Sequence, residues 1–402
     1  MKRFFQISGL IYLFLYMFPF PLENFFGGIF DPVIFFVGEA LFGLTLLAKK
    51  SSHSGDTTFD YVRIGTLLLL SIFSGLIYLL TLKNKFPIQR LRNVTFLYAK
   101  YYVGLFMINY GIAKLCEGQF SMPSYGKLEQ TFGNSSPMGL LWTFMGVSKP
   151  YTIFIGCSQI FSGYLILFKR TQTVGLLLTT VIMINVVLIN FCYDVPVKLF
   201  SSHLVLITVF LAIPDLKSLY AFFILRLPAQ LPVIVSLETK HKTARFILKA
   251  LVIVGYTVFC FTIFLNYSFT SGPYAAQSRI NGAYYTDKFV IENDTVPPLT
   301  SDSIRWKSII ISQSFSKVTK MTDSVERFNI AVDSIARTIT FSPLDKAEIK
   351  YRLNYAENDG RFQLTGIWKG KRVTAFFSKK TYGDYPLINR GFHWINETIY
   401  NT

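Results

Sequence analysis

The sequence predicts an α-helical polytopic membrane bundle followed by a small antiparallel β-barrel or β-sandwich domain. Three observations predict it. Apolar runs long enough to cross a bilayer recur through the first two-thirds of the chain. Near residue 268 the hydrophobic period switches from helical to two-fold. The charge density changes at the same place: residues 1–268 carry 22 Lys/Arg and 10 Asp/Glu, whereas the shorter remainder carries 18 and 13.

Composition agrees, with 51% apolar and 17% aromatic residues and a mean hydropathy of +0.39. The net charge of +17 does not indicate a nucleic-acid partner, because the basic residues of the bundle gather in short loops between spans. Cys116, Cys157, Cys192 and Cys260 have no metal-ligand or CxxC spacing, and the β region has no cysteine. No metal site is expected.

Met1-Lys2-Arg3 precedes an apolar run over 4–20 with no small-residue cleavage site after it, so an uncleaved first helix is expected. The run 32–48 is short, holds Gly38 and Gly43, and carries Glu39 at its centre. Clearer spans follow at 61–81, 95–115, 151–168, 173–191, 199–213 and 250–265. Lys83, Lys85, Arg90 and Arg92, then Lys169 and Arg170, then Lys240, Lys242, Arg245 and Lys249 mark three loops on one side, the cytoplasm. That orientation favours seven crossings, with 32–48 re-entrant or interfacial; eight crossings is the alternative. The segment 216–226 reads as a surface helix and 227–236 as a connector.

Strands are expected at 283–292, 306–313, 327–332, 337–342, 349–355, 361–368 and 371–378, with Asp359-Gly360 and Lys369-Gly370 as tight turns. The expected organisation is therefore N-terminal membrane helices over 1–92 and a helical core with its surface helix over 93–226. A linker and last span over 227–268 then lead to a β domain over 269–402, placed in the periplasm of a bacterial inner membrane.

On this topology the polar stretches 55–60, 114–127, 134–149 and 190–203 emerge on the outer side. Ionisable groups gathered at one mouth of a bundle are costly, so a functional reading is the default. Lys114 stands out in YGIAKL (110–115), with Tyr110 one turn before it. A desolvated lysine can act as a base; the commoner role of such a lysine is to snorkel to the headgroups. Asp194 and Lys198 in NFCYDVPVKLFSSH (190–203) fit an ion pair that caps the next helix, with Pro196 between them. His203 follows a turn later; with Lys114, the residues Asp194, Lys198 and His203 form the candidate catalytic set, Asp194 and Lys198 positioning polar groups. Asp56 fits a cap for its own helix in GDTTFDYV (55–62). The apolar stretch SSPMGLLWTFMG (135–146) fits a loop that dips in from outside, where Trp142 either walls a flat ring or anchors at the interface. Cys116 and Cys192 both fall near the outer mouth, where a redox pair is one reading. In NRGFHWINE (389–397), Phe392 and Trp394 are expected to close the barrel's open end.

At YGIAKL, QFSMPS (119–124), FKRTQTVG (168–175) and NFCYDVPVK the chain resembles the DoxX family of bacterial membrane proteins, over roughly residues 55–220. The resemblance implies a four-helix unit, linked in some relatives to thiol or quinone redox systems. It makes Tyr110, Trp142 and Gln159 candidate positions around an isoprenoid quinone. Relatives typically have Glu where this chain has Gln159, a departure that bears on any role needing a carboxylate. A fainter similarity, to vitamin-K-dependent gamma-glutamyl carboxylase and its bacterial transmembrane relatives, implies Lys114 as the base toward a quinol.

Two functions are expected from this reading. One is a membrane-embedded redox protein that handles an isoprenoid quinone or thiol at its outer face, a quinone-linked oxidoreductase or a carboxylase-like quinol chemistry. The other is a non-catalytic membrane subunit or assembly factor whose β domain binds a periplasmic or membrane protein. The lipid bilayer is the partner common to both.

Overall fold

The computed structural model of the protein describes residues 1–22, 26–45, 54–82, 86–232, 242–346, 348–358 and 361–399. Among them are eleven α-helices. These are α1 (Lys2–Met17), α2 (Asp31–Phe42), α3 (Thr58–Ile77), α4 (Ile88–Leu115), α5 (Tyr125–Leu128), α6 (Pro137–Val147), α7 (Lys149–Leu167), α8 (Gln172–Cys192), α9 (Lys198–Phe223), α10 (Lys242–Thr270) and α11 (Pro386–Asn389). The chain forms two compact units, 1–119 with 149–268 and 120–148 with 269–402.

The first unit is helical. Thr58–Leu82, Lys149–Leu167, Gln172–Cys192, Lys198–Phe223 and Phe246–Thr270 are long and apolar enough to cross a membrane. They correspond to the predicted spans 61–81, 151–168, 173–191, 199–213 and 250–265, and the unit associates with a lipid bilayer as a multi-pass bundle. Helix α4 is less apolar, yet 13 of its 28 residues are buried, whereas in an 18-residue apolar stretch of Phe246–Thr270 only 11% of residues are buried. A helix surrounded by other helices tolerates polar residues that a lipid-facing helix does not.

Small residues let α4 and α7 touch. A Cβ at Gly111 would lie 2.5 Å from the Gly156 carbonyl oxygen, and one at Gly163 would lie 2.6 Å from that of Gly104. Each helix therefore presents two glycines seven residues apart, and the backbones meet without side chains between them. Helix α1 is held to α4 by Tyr98, whose hydroxyl donates to the Met17 and Phe20 carbonyls at 2.9 and 2.7 Å. Those carbonyls lie at and beyond the last turn of α1, outside its regular hydrogen-bond ladder, and the Met17 carbonyl also takes the Phe20 N–H (3.0 Å). Along α10, Lys249 Nζ donates to the Leu167 carbonyl (2.7 Å), and Thr257 Oγ1 pairs with the Tyr164 hydroxyl (3.0 Å).

Helix α2 has 12 residues and stops at left-handed Gly43. At 1.5 Å per residue it is roughly 18 Å long, against roughly 30 Å for a hydrocarbon core. Helix α9 corrects another expectation: it runs unbroken through Pro214 to Phe223, so no separate surface helix begins at 216. Buried Asp215 accepts a hydrogen bond from Thr173 Oγ1 (2.7 Å), which ties the continuation to α8.

The second unit is built on strands β1 (Gly282–Ile291), β2 (Asp294–Thr295), β3 (Trp306–Ile311), β4 (Phe315–Lys320), β5 (Val325–Asp333), β6 (Thr338–Pro343), β7 (Tyr351–Asn358), β8 (Arg361–Trp368) and β9 (Lys371–Lys380). All neighbours are antiparallel, β1 pairs with β9, and β2 only extends the β1 hairpin, so eight strands close a barrel. Alternate side chains fill its interior: Phe362, Leu364 and Trp368 from β8, and Val373, Ala375 and Phe377 from β9. Lys369 and Gly370 both have positive φ, the geometry of a two-residue hairpin turn. Asp359-Gly360 lies outside the described residues. A bulge in β1 between Thr286 and Lys288 exposes carbonyls that Arg305 reads, its guanidinium donating to Thr286 O and Asp287 O (both 3.3 Å) and Val296 O (2.6 Å).

Candidate functional site

Lys114 sits in the last turn of α4 and is 6% exposed within the protein. Helix α4 ends there in a Schellman closure: Gly118 N–H donates to Ala113 O (2.8 Å) and Glu117 N–H to Lys114 O (3.1 Å). The left-handed position is taken by Glu117 (φ 53°), where glycine is the usual residue. The Glu117 carboxylate pairs with Lys149 Nζ at 2.8 Å. This tight reversal carries Gln119 back onto α4, where its Oε1 accepts from Lys114 Nζ at 2.7 Å. The ammonium also reaches the Tyr110 carbonyl at 3.4 Å and lies 5.6 Å from the Tyr110 ring. Lys114 is thus packed in protein, and the snorkelling geometry is not adopted.

A file of rings approaches this lysine. Phe20 lies 4.8 Å from Phe106; Phe106 lies 5.1 Å from Phe200; Phe200 lies 6.0 Å from Tyr110. Such spacings are those of favourable aromatic contact. On the neighbouring turns of α9, His203 is stacked on Tyr16 (4.0 Å, 11° between planes). Its Nε2 pairs with the Tyr12 hydroxyl and its Nδ1 with the Leu199 carbonyl, both at 2.7 Å. Both ring nitrogens are engaged by α1 and α9, which makes His203 a tie between helices.

The start of α9 is capped from elsewhere than expected. Asp56 accepts the backbone N–H of Lys198 (2.8 Å) and of Leu199 (2.9 Å), and Gly55 N–H donates to the Pro196 carbonyl (2.8 Å). Asp194 does not cap the helix. Its side chain is 85% exposed and forms an i,i+4 ion pair with Lys198 at 2.7 Å. The helix that follows Asp56 is capped instead by Thr57, in a reciprocal capping box with Asp60. Both partners of the Asp56 contact were single residues in separate motifs, and no local pattern joins them.

The remaining candidates are scattered. Gln159, on the buried face of α7, is 2% exposed, and its Oε1 has no hydrogen-bond partner among the described residues. Trp142 belongs to the second unit, where it packs edge-on against Phe120 (5.2 Å). Helix α6 there is 11 residues long and buries Leu141, Met145 and Gly146. All four cysteines are free thiols; Cys116 and Cys260 are buried, and Cys157 and Cys192 exposed. Among the described residues no group of three His, Cys, Asp or Glu side chains could hold a metal ion. His53 lies outside the described residues. Phe392 and Trp394 do not close the barrel: they are 77% and 90% exposed, and pack on each other.

Sequence reasoning missed Gln119 and also Glu129. In the second unit the Glu129 carboxylate accepts from the hydroxyls of Tyr285 and Tyr385 and from Lys380 Nζ (3.1 Å). It clasps the segment 120–148 onto the β1–β9 seam. Burial pushes this carboxyl up, but the three hydrogen bonds outweigh burial and hold it below the usual carboxylate range.

No family model and no solved structure matches the chain. A stretch of 114 residues is 33% identical to the uncharacterized protein YwoB of Bacillus subtilis (strain 168), covering 28% of this chain and 72% of that protein. By that similarity the chain belongs to the same family as YwoB.

Proposed function

We propose that the helical unit is a quinone-binding redox site of a bacterial cytoplasmic membrane, with Lys114 as its acid–base group and the barrel in the periplasm. The observation that carries this reading is the burial of the Lys114 ammonium in protein, beside neutral oxygens of Gln119 and Tyr110. The resemblance to DoxX-family and carboxylase-type proteins points the same way.

A ring bearing oxygens would be held between Lys114 on α4 and Gln159 on α7, whose neighbour Ile160 meets Gly111 where the two helices touch. Lys114 would hold or move a proton at one ring oxygen, and Gln159, whose buried Oε1 has no partner among the described residues, would accept from a hydroxyl. Tyr110 and Gln119 orient the lysine. Bound, a quinone supplies two-electron, two-proton chemistry. Asp194 and Lys198 are left out of this set by the exposure of Asp194 and its pairing with Lys198; Trp142 is left out because it belongs to the other unit.

Sidedness is supported by where charge collects within the helical unit. Lys100 donates to Gln172 (2.8 Å) and Lys249 to the end of α7, which puts these lysines with Lys169 and Arg170 at the basic end. Lys114 is at the far end of α4. The positive-inside rule makes the basic end cytoplasmic.

Solvent extraction of the purified protein tests the proposal. The expected result is isoprenoid quinone at a substantial fraction of one per chain, reduced in Lys114→Met and Gln159→Leu. Protein free of quinone in all three preparations overturns it.

A second reading is a membrane subunit or assembly factor whose β domain binds a partner protein. It is favoured by the exposed apolar side chains Phe392, Trp394, Ile395 and Ile399, which a partner would cover. Replacing all four with serine leaves quinone content unchanged under the first reading and abolishes co-purification of a partner under the second.

A further inference from the structure

We propose that the end of the barrel framed by Trp306 and Trp368 binds a small amphipathic carboxylate: a compact aromatic or branched acyl body with one anionic head.

The cleft holds about 200 Å³, below the roughly 300–1,000 Å³ of a drug-sized site, which selects a small ligand. Its floor is aromatic. Trp306 and Trp368 meet nearly perpendicular, centroids 4.8 Å apart, and both belong to the barrel core. The floor is therefore rigid and already assembled. At the cleft wall Ile304 is 52% exposed, an apolar side chain that an apolar ligand body would cover.

Charge selects the head group. Lys320, Lys369 and Lys371 all line the same cleft. Lys320 and Lys369 share the single carboxylate of Glu326, at 2.7 and 2.8 Å. Lys371 is exposed, and its ammonium has no side-chain partner among the described residues. Three ammonium groups stand against the carboxylates of Glu326 and of Glu292, which accepts the Arg372 N–H beside Lys371 (2.6 Å), and leave one net positive charge on the rim above an apolar floor. A carboxylate on an aromatic or branched acyl body complements both, whereas a neutral amide of the same body matches only the floor and an amine is repelled by the rim. Hairpin geometry holds the rim in place, because Lys369 and Gly370 form the tight turn that sets Lys371 across from Trp368.

The test is calorimetric titration of the full-length protein in neutral-lipid nanodiscs with phenylacetate, phenylacetamide and phenethylamine. Phenylacetate is expected to bind saturably and at least about tenfold more tightly than the other two. Lys371→Gln should weaken phenylacetate about tenfold without changing phenylacetamide, and Ile304→Trp, which fills the cleft, should abolish both. Lys307→Gln, whose lysine pairs with Asp323 outside the cleft, should leave binding unchanged. The proposal is overturned if phenylacetate shows no saturable binding, or if all three probes bind alike and neither cleft variant alters them.

Discussion

Asp56 closes the N-terminus of a helix 142 residues further along the chain, its two carboxylate oxygens taking the backbone N–H groups of Lys198 and Leu199. The cap joins the segment before α3 to the start of α9. One side chain thus fixes how two distant polar stretches meet at the end of the helical unit where α4 also ends in Lys114.

Asp56→Ala leaves both N–H groups without that acceptor. Loss of an N-cap costs about 0.5–2 kcal/mol, and two donors in one partly buried cap place the expected loss in the upper half of that range. Asp194→Ala removes only an exposed, solvent-screened ion pair and is expected to cost clearly less. Thermal unfolding of the two variants in one detergent should rank them in that order; an equal or reversed ranking refutes the cap assignment.

Gly163 is one of the close points of the α4–α7 contact. A methyl group there lies 2.6 Å from the Gly104 carbonyl oxygen, and backbone can yield only by parting the helices. Gly163→Ala should therefore destabilise the helical unit by about 1–3 kcal/mol, despite the higher helix propensity of alanine. Gly255, with nothing near its Cβ position, is the matched control: Gly255→Ala should be neutral or stabilising.

The Glu129 clasp gives the second unit a pH profile with two edges. Its carboxylate is held low against burial by Tyr285, Tyr385 and Lys380, so its contribution is full above the unfolded value near about 4.3. That contribution disappears as pH falls through the folded value. The Tyr285 and Tyr385 phenols are raised, first by burial and then by Glu129. Their contribution is full below about pH 10 and is lost as pH climbs through the folded values. Denaturant unfolding followed by tryptophan fluorescence should show both edges, and Glu129→Gln should remove the acid edge while only softening the alkaline one, whose larger cause is burial.

The elements with strong periodicity were legible from sequence. The apolar spans and seven of the barrel strands carry their signal locally, and β8 matches its expected range 361–368 to the residue. Strand β4 was missed because FSKVTK places Ser316 and Val318 inside the barrel, and a buried serine breaks the alternation that marks a strand. The site was less legible. Lys114 was readable as a lysine at a span end, but Gln119 reaches it only through the backbone reversal at Glu117, a non-glycine in a glycine conformation. Asp56 and Glu129 act on residues far away in sequence, and no spacing rule reaches across that distance. The same holds for 120–148, which looks like a loop of the helical core and packs with the barrel unit.

Equilibrium titration with a short-chain benzoquinone, using wild-type protein and a thermally stable Lys114→Met variant in neutral-lipid nanodiscs, tests the role of the buried lysine most directly. Saturable binding by the wild type, weakened about tenfold or more in the variant, is the predicted result. Equal affinity in both proteins, or no saturable binding in either, would contradict it.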